Sequence, residues 1–104
     1  MITALVQFNL PRPLSRKEAQ EIFLTTAPKY TKIKGLIKKY YILTEDGGTG
    51  GGVYIWNSRE DAEGMYTEAW RQFILEKYGA QPTLTYFETP VVVDTISGEI
   101  STDK

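Results

Sequence analysis

Hydrophobic and polar residues alternate along the first nine positions, which is the pattern of a β-strand with two unlike faces. One face carries Ile2, Ala4, Val6 and Phe8, and the other carries Thr3, Leu5, Gln7 and Asn9. Pro11 and Pro13 end the strand, because proline has no amide hydrogen to donate to a neighbouring strand.

A helix is predicted after these prolines. Ser15 and Glu18 form a Ser-x-x-Glu capping box, which satisfies free amides where a helix begins. Apolar residues then follow at helical spacing as far as Ala27. Pro28 should break or kink this helix, and a short second turn over residues 30–34 should end at Gly35.

A β-hairpin is predicted next. The segments 36–43 and 53–56 are rich in β-branched and aromatic residues, and the glycine-rich segment 45–52 joins them. Five glycines in the six positions 47–52 invite comparison with a phosphate-binding loop. Such a loop opens into a helix, whereas this one opens into a strand and lacks Gly-Lys-Ser/Thr. We therefore interpret the segment as a mobile hairpin turn.

The second half of the chain predicts one long helix and a last strand. Ser58 caps the helix, an apolar stripe of about five turns runs from Ala62 to Tyr78, and Gly79 is placed to end it. The last strand, 83–94, contains Pro90 and should therefore lie at a sheet edge. We expect residues 1–94 to form one domain and residues 95–104 a frayed polar tail.

The predicted order β-α-β-β-α-β is that of the ferredoxin-like fold, an α+β fold with a four-stranded antiparallel sheet. Right-handed crossovers place both helices on one face of the sheet and leave the other face bare. From the first strand, we expect this bare face to carry Thr3, Leu5, Gln7 and Asn9. The third strand would add Tyr54 and Trp56 if Val53 and Ile55 face the helices. The second strand would add either Lys39 and Tyr41 or Lys38 and Tyr40, and the last strand Tyr86 or Phe87. A second copy packed sheet to sheet would cover it, leaving a ligand cavity between sheet and helices.

Composition narrows the possible chemistry. The net charge of −1 over 104 residues argues against a nucleic-acid-binding protein. There is no cysteine and no histidine, which excludes disulfides, thiolate chemistry, a histidine base and a histidine ligand to haem. No apolar run is long enough to cross a membrane, and no signal peptide is recognisable, so a cytoplasmic protein is expected.

The segments Gly35–Tyr41, Gly51–Trp56 and Ser58–Ala62 resemble the dimeric α+β-barrel proteins. Within that superfamily the chain is most similar to the YdhR-like monooxygenases, which are related to the antibiotic-biosynthesis monooxygenases. The resemblance covers most of residues 1–94. It implies a homodimer that oxidises a small aromatic or polyketide-like substrate with O₂, without flavin, haem or metal, in a pocket between sheet and helices. In such a reaction the substrate anion itself reduces O₂.

The resemblance implies a pocket with a hydrogen-bonding group, a cation for the substrate anion and an aromatic wall. The candidate lining residues are Gln7, Asn9, Lys39, Tyr41, Tyr54, Trp56, Arg71 and Tyr86. The Asn-Trp-Arg set of the quinol oxygenases has no match at family spacing, so the catalytic residues are left unassigned.

Structural roles compete with these functional ones. Trp56 is placed to pack beneath a helix start, Arg71 to be solvated, and Lys39 to protect an edge strand from aggregation. The alternative function is a non-catalytic or stress-linked dimer that binds a small hydrophobic ligand.

Overall fold

The computed structural model describes residues 1–102, and its main element is a four-stranded antiparallel sheet with helices on one face. In chain order the elements are β1 (Ile2–Asn9), α1 (Arg16–Leu24), α2 (Ala27–Tyr30), β2 (Leu36–Leu43), β3 (Thr49–Trp56), α3 (Arg59–Met65), α4 (Glu68–Tyr78), β4 (Thr83–Glu88), β5 (Val91–Asp94) and β6 (Glu99–Thr102). The strand order β2-β3-β1-β4 confirms the predicted ferredoxin-like α+β fold. No helix in residues 1–102 is long and apolar enough to cross a membrane.

Strand β1 lies at the centre of the sheet and separates its two faces. It pairs with β3 from Ile2↔Trp56 to Asn9↔Thr49, and on its other side with β4. Ile2, Ala4, Val6 and Phe8 are buried beneath the helices, whereas Gln7 and Asn9 are exposed on the bare face. The alternation predicted for this strand is confirmed.

Tyr54 and Trp56 of β3 do not lie on the bare face, a placement that the sequence pattern allowed for them. Tyr54 and Trp56 are only 2% and 0% exposed and lie on the helix side, directly opposite Ala4 and Ile2 of β1. Val53 and Ile55 therefore point to the bare face. Paired residues share a face, and the small side chain of Ala4 leaves room for the ring of Tyr54.

In the outer strands β2 and β4, the pairing with their neighbours shows which residues face the helices and which lie on the bare face. Lys39 pairs with Tyr54 and so lies on the helix side, which leaves Lys38 and Tyr40 on the bare face. A register shift between Leu36 and Lys38 sets this phase. In β4, Tyr86 is opposite Ala4 and faces the helices, and Phe87 lies on the bare face.

The prediction of one long helix over residues 58–78 is wrong, because two helices, α3 and α4, occupy that segment. Tyr66 ends α3 with φ −81° and ψ 62°, values outside the helical range. The Thr67 hydroxyl then accepts a hydrogen bond from the Trp70 amide and caps α4. The caps predicted at Ser15, Ser58 and Gly79 are confirmed.

The turn in the glycine-rich segment is shorter than expected. Only residues 44–48 turn, and Asp46 holds them by accepting hydrogen bonds from the Thr44 hydroxyl and the Gly48 amide. Residues 50–52, expected in a mobile turn, are instead buried within β3. A Cβ at Gly51 would collide with the Val6 carbonyl oxygen, so close strand packing explains the glycine there.

The C-terminal segment forms a hairpin rather than a frayed tail. Strand β5 pairs with β6 from Val91↔Thr102 to Asp94↔Glu99, apart from the main sheet. Pro90 separates β5 from β4, and β4 pairs with β1 alone, as expected of an edge strand. Asp103 and Lys104, the end of the predicted tail, lie outside the described residues.

Candidate functional site

The most unusual charged group on the helix side of the sheet is the amine of Lys39. Its Nζ lies 3.4 Å from the ring centre of Tyr30, 3.8 Å from that of Tyr41 and 4.6 Å from that of Tyr54. Strands β2 and β3 supply Lys39, Tyr41 and Tyr54 as same-face neighbours, and α2 adds Tyr30 from above. Lys39 with these three tyrosines is called the tyrosine cage below.

The environment of the amine favours its neutral form. Burial, and to a smaller extent the positive charge of Lys29, together lower the pKa of Lys39 to about 7. Among residues 1–102, no hydrogen bond or ion pair connects Lys39 to a carboxylate. The ring faces are its main electrostatic partners. At neutral pH this amine can both accept a proton and carry a charge.

Two tryptophans fix the aromatic wall behind the tyrosine cage. Trp56 stacks on Tyr54 with ring centres 6.2 Å apart, and its Nε1 donates to the Tyr66 hydroxyl at 3.1 Å. Trp70 Nε1 donates to the Tyr30 hydroxyl at 3.2 Å. Each indole nitrogen is therefore satisfied while its ring stays buried.

The buried tyrosines are hydrogen-bonding groups rather than bases. Burial raises the pKa of Tyr54 and of Tyr66, and neighbouring tyrosines raise both further. Burial also raises the pKa of Tyr41, against an opposing hydrogen bond from Thr26. All three phenols remain protonated at neutral pH, which leaves Lys39 as the basic group of the cluster.

Two cavities meet at Tyr41. A small cavity of about 10 Å³ lies beside Lys39, with Thr26, Phe73 and Tyr78 among its walls. That volume holds about one water molecule. A larger groove of about 660 Å³ lies between α1 and β2, and Phe23 and Tyr41 are among its lining residues. A ligand of ordinary size fits only the groove unless Tyr41 moves.

On the side of α1, Tyr41 is held in place by two contacts. Its hydroxyl shares a 2.7 Å hydrogen bond with the Thr26 hydroxyl, and its ring stacks on Phe23 at 4.8 Å between ring centres. Both contacts come from the end of α1 and the residues that follow it. The ring is therefore a wall between the groove and the amine.

The predicted lining residues fall into three groups. Lys39, Tyr41, Tyr54 and Trp56 come together at the tyrosine cage. Tyr86 lies further along the sheet, with its ring centre 6.2 Å from that of Tyr66 and 4.0 Å from the Arg59 guanidinium. Burial raises the pKa of Tyr86, and the charge of half-buried Arg71 is among the effects that oppose this shift. Gln7 and Asn9 lie across the sheet from the cage, where Asn9 Oδ1 accepts a hydrogen bond from Thr49.

Sequence reasoning missed Tyr30, Thr26 and Phe23. They come from α1, from the break after it and from α2, and Pro28 marks that break but does not fix how α2 is oriented. The run Gly50–Gly52 was a usable signal, because consecutive glycines in a strand indicate closely packed neighbours. A Cβ on Gly52 would lie 2.9 Å from the Tyr54 ring and 3.2 Å from Lys39 Cε.

Within residues 1–102, no group of three or more acidic side chains is placed to hold a metal ion. The chemistry that the cluster itself offers is proton transfer and anion binding by Lys39.

The amino-acid sequence matches one known family over most of its length. The family described as "Putative mono-oxygenase ydhR" matches residues 5–88. None of the curated protein sequences matches the chain.

Solved structures share the fold. A putative antibiotic biosynthesis monooxygenase from Deinococcus radiodurans is similar with a TM-score of 0.66 and 12% identity, over 90% of this chain and 97% of that chain. The monooxygenase of the ActVA-Orf6 gene of Streptomyces coelicolor, in complex with nanaomycin D, gives 0.64 and 14%, over 85% and 86%. SnoaB, a cofactor-independent oxygenase from Streptomyces nogalater, gives 0.61 and 11%, over 85% and 91%.

Proposed function

This chain belongs to the YdhR mono-oxygenase family, and on that premise we propose that it oxidises a small acidic aromatic or polyketide-like molecule with O₂, without flavin, haem or metal. Two similar structures support the substrate class and the absence of a cofactor. One is named as a cofactor-independent oxygenase, and the other holds nanaomycin D. The pocket would lie between sheet and helices, at the tyrosine cage.

The observation that carries the proposal is the amine of Lys39. A neutral amine inside an aromatic cage can take a proton from an acidic C–H or O–H of the substrate. The ammonium that results stays beside the new anion and stabilises it. One residue thus supplies both the base and the cation that oxidation without a cofactor requires.

For an anthrone, which carries a CH₂ group between two rings, the atoms and electrons of this oxidation balance. Lys39 removes one proton from the CH₂ group, and the resulting carbanion reduces O₂ and forms a C–O bond. The Lys39 ammonium returns its proton to the peroxide anion. Loss of the remaining C–H proton with cleavage of the O–O bond then gives C=O, and the released hydroxide and proton form water. The carbon loses four electrons and O₂ gains four, so one oxygen atom enters the product and the other leaves as water.

The aromatic wall would exclude bulk water from this anion, which strengthens its attraction to the ammonium. The groove between α1 and β2 is large enough for a two- or three-ring molecule. A substrate there would reach Lys39 by displacing the ring of Tyr41. That movement would break the hydrogen bond to Thr26 and the stacking on Phe23, and would give up the ring's contacts with Lys39 and Tyr30.

We also propose that two copies pack through their bare sheet faces. Tyr40 and Phe87 on that face are 53% and 48% exposed, and Ile37 is 49% exposed at the start of β2. On the β5–β6 hairpin, Val91 and Val93 are 55% and 63% exposed. Apolar surface of this extent is expected to be covered by a partner, and a second copy has the same face to offer.

The test is oxygen uptake with anthrone as substrate, in buffer containing a chelator and no added cofactor. We expect one O₂ consumed per anthrone converted to anthraquinone, above the rate without protein. Lys39→Met should lose about 10²-fold or more of that rate, the usual contribution of a general base. Lys34→Met, an exposed lysine outside the cage, should keep it.

Two results would contradict the proposal. One is an uptake rate in Lys39→Met equal to that of the unmodified protein. The other is tight binding of anthrones and quinols with no turnover of any of them, which would support the non-catalytic binding module.

A further inference from the structure

Two lysines cross the cleft between the α1–α2 junction and α4 in opposite directions. Lys29, on α2, places its Nζ 3.6 Å from the ring centre of Phe73 on α4. Lys77, on α4, donates from its Nζ to the Thr25 hydroxyl at the end of α1, at 2.9 Å. Both side chains therefore bridge the α1–α2 junction and α4.

Lys39 lies near these two bridging lysines. The small cavity beside its amine is lined by Phe73, the ring under Lys29, and by Thr26, the neighbour of the residue that Lys77 binds. Tyr30 connects Lys39 to Lys29, because its ring centre is 3.4 Å from Lys39 Nζ and 5.7 Å from Lys29 Nζ. Lys29, Lys77 and Lys39, with the space between them, are called the lysine cleft below.

The two outer lysines, Lys29 and Lys77, lack a carboxylate partner in the part of the chain that the structure describes. Burial lowers the pKa of Lys29, and the charge of Lys77 lowers it further, as the charge of Lys29 does for Lys39. Uncompensated like charges in one cleft attract anions and are relieved when an anion binds.

We propose that the lysine cleft binds the acidic group of an aromatic carboxylate, whose ring would lie at the amine of Lys39 in the space that the displaced ring of Tyr41 vacates. This inference rests on the proposed function, and it narrows the substrate to molecules with a permanent negative charge in addition to the oxidised ring. Lys29 and Lys77 hold the carboxylate, and Phe73 and Tyr30 contact the ring.

The present contacts of the two outer lysines do not prevent this role. Lys29 and Lys77 are exposed, and each has a weak partner, a ring face and a hydroxyl. Contacts of this kind are easily exchanged for the stronger pairing of an ammonium with a carboxylate. The ligand would replace neutral partners with a charged one.

The experiment compares two probes that differ by one carboxylate, 1-hydroxy-2-naphthoate and 1-naphthol, by calorimetry under nitrogen so that no oxidation occurs. The naphthoate should bind at least about tenfold more tightly, and added salt should weaken its binding. Lys29→Gln and Lys77→Gln should each weaken naphthoate binding by about two- to fivefold and leave naphthol binding unchanged. The control Lys17→Gln, on α1 outside the cleft, should change neither.

Equal affinity for the two probes would overturn the proposal, and so would unchanged naphthoate binding in the double variant Lys29→Gln/Lys77→Gln. Circular dichroism checks that the surface variants are folded. Because binding is measured without O₂, a failed oxidation assay would leave the lysine cleft standing, and a failed binding test would leave the oxidation of uncharged substrates standing.

Discussion

Replacing Lys39 by methionine should make the protein more stable at neutral pH, because the fold withdraws a charged amine from water. A fall in pKa from the ordinary 10.5 to about 7 corresponds to roughly 5 kcal/mol at about 1.36 kcal/mol for each pH unit. That figure is an upper bound, since the side chain is only partly buried and methionine loses the cation–π contacts, worth about 0.5–1 kcal/mol each. We expect a net gain of about 1–3 kcal/mol at pH 7.

The sign of the pH dependence follows from the lowered pKa. Between about pH 7 and pH 10 the unfolded chain holds a proton on Lys39 that the folded chain has lost. The free energy of unfolding therefore rises with pH over this window in the unmodified protein. The advantage of Lys39→Met should shrink by up to about 2.7 kcal/mol between pH 6 and pH 9.

Urea unfolding followed by tryptophan fluorescence, at fixed protein concentration and at pH 6, 7.5 and 9, measures both quantities. Lys34→Met serves as the control, because Lys34 is exposed in the turn before β2, and its profile should follow that of the unmodified protein. A Lys39→Met variant that is less stable at pH 7, or that has the same pH slope as the unmodified protein, would refute the reasoning.

Three further predictions concern packing and assembly. Gly51→Ala should lower the free energy of unfolding in urea by more than about 2 kcal/mol, because the new methyl group meets the Val6 carbonyl. The matched variant Gly64→Ala meets no neighbour and should stabilise α3 by about 0.5–1 kcal/mol. Equal effects of the two substitutions would contradict this packing. Trp56→Phe should cost about 1–3 kcal/mol, because the Tyr66 hydroxyl loses its donor, and an unchanged urea midpoint would count against that bond. Sedimentation should show a dimer that Tyr40→Glu/Phe87→Glu converts to monomers; an unmodified protein that is already a monomer would remove the proposed interface.

The fold was predictable because local signals fix the order of its elements. The serine caps and the terminal glycine act over three or four residues, and both are visible in the sequence. The break between α3 and α4 was not predictable from periodicity. It depends on Tyr66 turning into the core to meet Trp56, a contact made by the tertiary structure.

The site was harder to predict because it depends on register. Lys38-Lys39-Tyr40-Tyr41 gives the same pattern when it is shifted by one residue, and the irregularity after Leu36 decides which lysine faces the helices. The sequence Val53–Trp56 is apolar on both faces, so alternation could not orient Tyr54 either. Tyr30 joins the tyrosine cage only through the docking of α2, which no local pattern specifies.

The titration of the Lys39 amine tests the central claim most directly. In protein labelled with ¹³C at lysine Cε, the Lys39 signal can be assigned by its absence from Lys39→Met and followed by NMR from pH 5 to pH 11. We predict a midpoint near 7, as burial among Tyr30, Tyr41 and Tyr54 requires. A midpoint near 10.5, that of an ordinary lysine, would contradict the account.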